Sequence, residues 1–214
     1  MRIYKAVRSV VPSPSVKLPL TTCEEVIAAA QTALGGLERL RGIRTYHAEA
    51  LRSYADGVSS HLTLWRAAGG RVFIEEYTSD GHVGRRSTSG GISDDERAEL
   101  VRAARVSPRN LLAHADEIDL KMRDHLAPGG LHVISYPHEF TIYFFDAVRH
   151  TCLLMIDLVR NRRVAYGDYR PVDGILTPFH ERHQGEDAAN CWDDRLLVAA
   201  YNVEPPDDLW PAAD

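Results

Sequence analysis

The run His180-Glu181-Arg182-His183 sets two imidazoles around a carboxylate and a guanidinium, residue types that bind metals or move protons. A metalloprotease-type site spaces its histidines four apart on a helix, so that both reach one ion. Here the spacing is three, and Pro178 with the alternation around it favours a strand. Side chains on a strand alternate, so positions 180 and 183 point to opposite faces and one metal does not collect both. We therefore expect a structural strand and no metal, with His180 facing an interior as a hydrogen-bond or proton-transfer group and His183 on the other face.

Other reactive arrangements are sparse. There is no GxSxG nucleophile elbow. Cys152 lies among apolar residues, where a thiol becomes harder to ionise. Asp193-Asp194 diverge on a strand. The pairs Gly35-Gly36, Gly69-Gly70, Gly90-Gly91 and Gly129-Gly130 sit at turns and lack the strand-to-helix setting of a phosphate loop. No nucleotide or other cofactor is expected. With His180, the groups expected to polarise a carbonyl or carry a proton are Tyr143 and His132. Expected to form flat apolar walls for a ligand are Trp65, Phe73, Tyr77, Tyr136, Phe145, Met155 and Phe179.

The elements that must position these groups follow from the change of hydrophobic period. Residues 1–21 contain Pro12, Pro14 and Pro19 and read as an extended arm. Thr21 or Thr22 caps a helix with Val26, Ile27, Ala30 and Leu34 on one stripe, stopped by Gly35-Gly36. Three strands follow from Ile43, then a weaker one from Gly81. Ser93 and Glu96 form a capping box for a helix over Asp94 to Arg105, and Ser107-Pro108 opens a short one through His114. The second half is almost all strand, with turn signals between segments.

About ten antiparallel strands with three helices should curl rather than stay flat. The predicted fold class is mainly β: a curved, incomplete antiparallel barrel with a few helices as lid or plug, in one domain over 22–214. Such a sheet encloses more volume than its own side chains fill, and cavities of this kind usually hold apolar ligands.

Composition agrees with a globular chain: 214 residues, 44% hydrophobic, 26% charged, formal net charge −5. That charge gives no general attraction to nucleic acid. No apolar run approaches a transmembrane length. The first twenty residues lack an apolar signal core, so we expect a cytoplasmic protein, or an extracytoplasmic one if a leader was removed. Cys23, Cys152 and Cys191 read as reduced thiols.

Three segments carry a resemblance. "ALGGLERLRGIRTYHAEA" (Ala33 to Ala50), "YGDYRPVDGILTPFHE" (Tyr166 to Glu181) and "VEPPDDLW" (Val203 to Trp210) are similar to the first helix and strand, the late hairpin and the ending of LolA-like outer-membrane lipoprotein-sorting proteins. The resemblance implies a half-barrel with helices over its open side, and an apolar interior that holds acyl chains or other lipophilic molecules. Two functions are expected to compete: a cofactor-free cyclase or isomerase acting on a lipophilic biosynthetic intermediate such as a polyketide, and a non-catalytic carrier of lipid or lipoprotein acyl chains. The absence of a leader from the first twenty residues favours the enzyme. The partner in either case is a hydrophobic small molecule or lipid.

Overall fold

The computed structural model describes residues 22–67, 70–78, 81–88, 92–123, 130–187, 191–206 and 209–210. The predicted N-terminal arm lies outside them, as does Gly69 of the expected hairpin turn.

Helix α1 (Cys23–Ala33) starts as its sequence dictates. The Thr22 hydroxyl accepts from the Glu25 amide, and the Glu25 carboxylate accepts from the Thr22 amide. Val26, Ile27 and Ala30 are its buried stripe. Gly35 and Gly36, at φ 117° and 98°, end it. A short helix α2 (Leu37–Arg41) leads into strands β1 (Thr45–Tyr54), β2 (Ser59–Ala67), β3 (Arg71–Thr78) and β4 (Gly81–Ser87). Helix α3 (Asp94–Arg105) opens with the Ser93–Glu96 capping box, and α4 (Pro108–Ala113) with the Ser107 hydroxyl accepting from Asn110. Seven more strands complete the chain: β5 (Lys121–Met122), β6 (Leu131–Tyr136), β7 (Thr141–Asp146), β8 (Cys152–Asp157), β9 (Arg162–Val172), β10 (Ile175–Gln184) and β11 (Trp192–Tyr201).

These form one eleven-stranded sheet in the order β4-β3-β2-β1-β11-β10-β9-β8-β7-β6-β5, and every neighbouring pair is antiparallel. The meander is broken once. β1 pairs with the last strand, while α3 and α4 carry the chain from the β4 edge to the β5 edge. The two edges do not pair, so the barrel is incomplete. Register shifts opposite Glu49/Ala50, at Glu76/Tyr77 and at Phe144/Phe145 add local bend.

The main core lies between α1, α4 and the strands. Val26, Ile27, Leu34, Leu111 and Leu112 pack against Ile134, Tyr143, Phe145 and Cys152. A side chain as fully buried as Leu111 or Leu112 contributes about 2 kcal/mol. The end of α1 is locked to the β9–β10 turn, where Asp173 and Gly174 take φ 49° and 78°. The Leu176 amide donates to Leu34 O, and a Cβ on Gly35 would fall 2.2 Å from Gly174 O. Only glycine fits there. A second cluster joins Trp65 and Phe73 to Leu209 from the C-terminal segment, with Val203 and Trp210 around it.

Helix α3 differs from the other helices, since none of its residues is fully buried. It is fastened by charge instead. Arg102 bonds the Asp157 carboxylate and Glu139 O, and pairs with the Glu139 carboxylate at 3.1 Å; Arg105 pairs with Glu139 as well. Among the described residues no helix is long and apolar enough to cross a membrane.

Candidate functional site

A cavity of about 110 Å³ lies between the sheet and the helices. Its floor comes from β1, β2 and β8 to β11, its roof from Ala103 of α3 and Ser107, Pro108 and Arg109 at the start of α4, and one end from Leu34. Leu62, Leu64, Met155, Val164, Leu176 and Leu196 make part of the wall apolar. Aromatic and ionisable side chains make up another part: Tyr46, Arg66, Arg109, Arg162, Tyr166, Tyr169, Glu181, His183, Asp194 and Tyr201.

Strand alternation explains how the charged groups come inside. On β1, Tyr46, Ala48, Ala50 and Arg52 are all buried and in phase; on β2, Leu62, Leu64 and Arg66 are in phase. Antiparallel register then aligns Tyr46 with Tyr201 and Arg52 with Asp194. On β9, Asp168 at φ 48° interrupts the alternation, so Tyr166 and Tyr169, three apart, both reach the cavity.

Two charge arrangements result. In the first, Arg52 donates two bonds to Asp194, at 2.7 and 2.8 Å, and lies 3.6 Å from Glu76. Glu76 also accepts from the Tyr54 and Ser60 hydroxyls, and Trp192 donates to Asp194 at 3.2 Å. Burial works against the Arg52 charge, but the two carboxylates more than restore it and hold its pKa above the ordinary arginine value. This group is closed and fully paired.

The second is open. The Arg109 guanidinium carbon lies over the Tyr46 ring, 4.2 Å from its centroid, and Arg109 donates to the Tyr201 hydroxyl at 2.8 Å. Arg66 has a buried Nε with no hydrogen-bond partner among the described residues, and so has Arg162. Burial, and then the neighbouring Arg109 charge, push the Arg66 pKa down. Burial alone would raise the Glu181 carboxyl, yet the charges of His183, Arg66 and Arg109 hold it below the usual glutamate range. His183 stacks on Trp192 at 4.6 Å, with Nε2 3.4 Å from Glu181 and 3.7 Å from Asp194. Neither of its ring nitrogens makes a hydrogen bond among the described residues. Burial keeps the Tyr46 and Tyr166 hydroxyls protonated.

Of the ten site residues named from sequence, Met155 lines this cavity. His180 sits outside it with Nε2 2.9 Å from Asp193, beside Phe179, which lies 4.7 Å beneath the Arg170 guanidinium. The two histidines do occupy different faces, with His183 on the cavity side. Tyr143, Phe145 and Tyr136 belong to the packed core, where the Tyr143 hydroxyl donates to Val106 O. His132 is buried on β6, with its pKa lowered by burial first and then by His150. Trp65 stacks on His47 at 4.2 Å and joins Phe73 in the second cluster, while Tyr77 is 39% exposed. Arg66, Arg109, Glu181 and the tyrosines were not anticipated. The available signal was a charged residue standing in phase with a buried apolar row.

Among the described residues no group of three or more His, Cys, Asp or Glu side chains is arranged to hold a metal ion. No family model matches the chain, and no curated protein matches it in sequence. Several solved structures resemble it in outline. A DUF1329 family protein from Desulfovibrio piger superposes with TM-score 0.49 at 11% identity, over 88% of this chain and 96% of that one. A domain described as an outer membrane lipoprotein-sorting protein, from Vibrio parahaemolyticus, gives 0.46 at 9% identity over 87% and 95%. A LolA superfamily protein from Nitrosomonas europaea gives 0.44 at 8% identity over 89% and 98%.

Proposed function

We propose that the protein is a container that binds a lipid-like small molecule between its sheet and its helices and does not transform it. The observation that carries this reading is the cavity itself, walled by leucine, methionine and valine side chains on a curved sheet and roofed by two helices. At about 110 Å³ it is smaller than a roughly 150 Å³ cavity that takes benzene. A longer chain therefore requires the roof to move. Helix α3 is suited to that movement, because it gives up no fully buried apolar side chain on lifting, and what fastens it is polar: the Arg102 and Arg105 pairs, the Arg160–Glu99 pair and the Arg97 bond to Thr88 O.

Native mass spectrometry of the purified protein, with displacement of a fluorescent fatty-chain probe, tests the reading. Co-purifying amphiphiles, released when the probe binds, are expected. A protein that neither carries such molecules nor binds the probe is not a container.

The second reading, a cofactor-free cyclase or isomerase, is favoured by one observation: Glu181 and His183 stand 3.4 Å apart on the cavity wall, with tyrosine hydroxyls around them. It requires a bound molecule to leave with its mass unchanged and its connectivity altered. Recovery of only unaltered ligand from the Glu181 wild type and from Glu181→Gln decides for the container.

A further inference from the structure

We propose that the bound molecule is an amphipathic monoanion, its acid group held between Arg66 and Arg109 and its apolar part extending inward past Leu64 and Met155. This rests on the container reading and adds the chemistry of the head group.

Position is the first support. Arg66 and Arg109 belong both to the cavity wall and to the wall of an open groove of about 450 Å³ between β1, β2 and the helices. They therefore stand at a doorway. A polar group bound there keeps contact with water, while a chain behind it can run along the Leu62, Leu64, Met155 and Val164 stretch of the wall.

Unspent hydrogen-bonding capacity is the second. Two other inward arginines are consumed by carboxylates, Arg52 by Asp194 and Arg102 by Asp157 and Glu139, whereas Arg162, elsewhere on the cavity wall, shares an orphaned Nε with Arg66. At the doorway Arg109 donates to a neutral hydroxyl, and the Arg66 Nε finds nothing. A guanidinium presents five donors in a planar fork matched to a carboxylate. A partly buried cation whose inward Nε lacks a partner carries a cost that an incoming anion removes.

Charge arithmetic is the third. The two guanidiniums face one carboxylate, Glu181, whose nearest ionic neighbour is His183. At the doorway itself one positive charge is left over, and Arg162 elsewhere on the wall adds to it and does not cancel it, which suits an acid better than a neutral alcohol. The depressed Arg66 pKa, caused by burial and then by Arg109, marks the same surplus.

Octanoic acid and octan-1-ol differ only at the head, so calorimetric titration of the full chain with each at neutral pH tests the proposal. Octanoate is expected to bind about tenfold or more tightly, because a charge-assisted bidentate contact exceeds a neutral hydrogen bond by that much. Arg66→Gln should remove most of that preference, bringing octanoate affinity down toward that of the alcohol. Arg109→Gln should do the same; if loss of its contacts to Tyr46 and Tyr201 prevents folding, the wild-type pair and Arg66→Gln decide alone. Equal binding of acid and alcohol, indifferent to Arg66→Gln, overturns the acid head group and leaves the container standing. Binding of neither amphiphile overturns both.

Discussion

Across β6 to β8 the concave face of the sheet is filled, with Ile134, Tyr143 and Phe145 packed against α1 and α4. Across β1, β2 and β9 to β11 the same face carries Arg52, Arg66, Glu181, His183 and Asp194, and part of it is hollow. Both halves obey one alternation rule and differ only in what was placed at the inward positions. An apolar row buries itself and stabilises. A row ending in charge must be paired, as Arg52 is, or stay open for something that arrives later. On the proposed reading, stability and ligand binding fall to different halves of one surface.

The largest effect is expected from the filled half. Phe145→Ala removes a completely buried ring and should cost about 3–5 kcal/mol, since the surroundings relax only in part. The midpoint of urea unfolding measures it. Octanoate affinity of the folded variant should stay unchanged, and a large loss of binding would mean that the halves are not separable.

The paired group of the hollow half should be nearly as sensitive. Arg52→Met leaves Asp194 and Glu76 buried with no cation between them, a loss of about 3 kcal/mol. Arg66→Met should behave in the opposite way, within about 1 kcal/mol of wild type or more stable, because it removes a cation with an orphaned Nε that faces another arginine. Denaturation of the two variants side by side sharpens the contrast. If both lose stability equally, Arg66 is a structural residue and the doorway has no spare charge.

Much of the fold was legible in the sequence, and the lining of the cavity was not, for a physical reason. Capping boxes at Thr22 and Ser93, the Gly35-Gly36 stop and the Asp173-Gly174 turn are local signals, readable within a few residues. The cavity is not local. Arg66 and Glu181 come from β2 and β10 and meet only because β1 and β11 pair between them. The aromatic residues expected to line a ligand site were chosen by type. Phe145 and Tyr143 instead fill core, and Trp65 and Phe73 serve the cluster under Leu209. Phase was the better guide than type, because a strand's charge in step with a buried row points inward whatever its neighbours are. The bulge opposite Glu49/Ala50 shifts that phase within β11 with no glycine or proline to mark it, and the αL residue Asp168 shifts it within β9, where Gly167 beside it was the available sign.

The smallest expected effect concerns pH and separates the halves by sign. Glu181 would be raised by burial, but His183, Arg66 and Arg109 hold its folded pKa below 4.5. The unfolded chain therefore takes up a proton there more readily than the folded one. Stability from this group is present above about pH 4.5 and is lost as pH falls through the lower folded value. Unfolding midpoints between about pH 6 and pH 3 should then fall more steeply for wild type than for Glu181→Gln, while Phe145→Ala keeps a constant deficit over the same range. Parallel curves for wild type and Glu181→Gln would show that the arginines do not reach Glu181. The same substitution frees both guanidiniums from their resident carboxylate, so Glu181→Gln should lose stability near neutrality yet bind octanoate about threefold more tightly. A weaker complex would mean that Glu181 helps hold the ligand instead of competing with its head group.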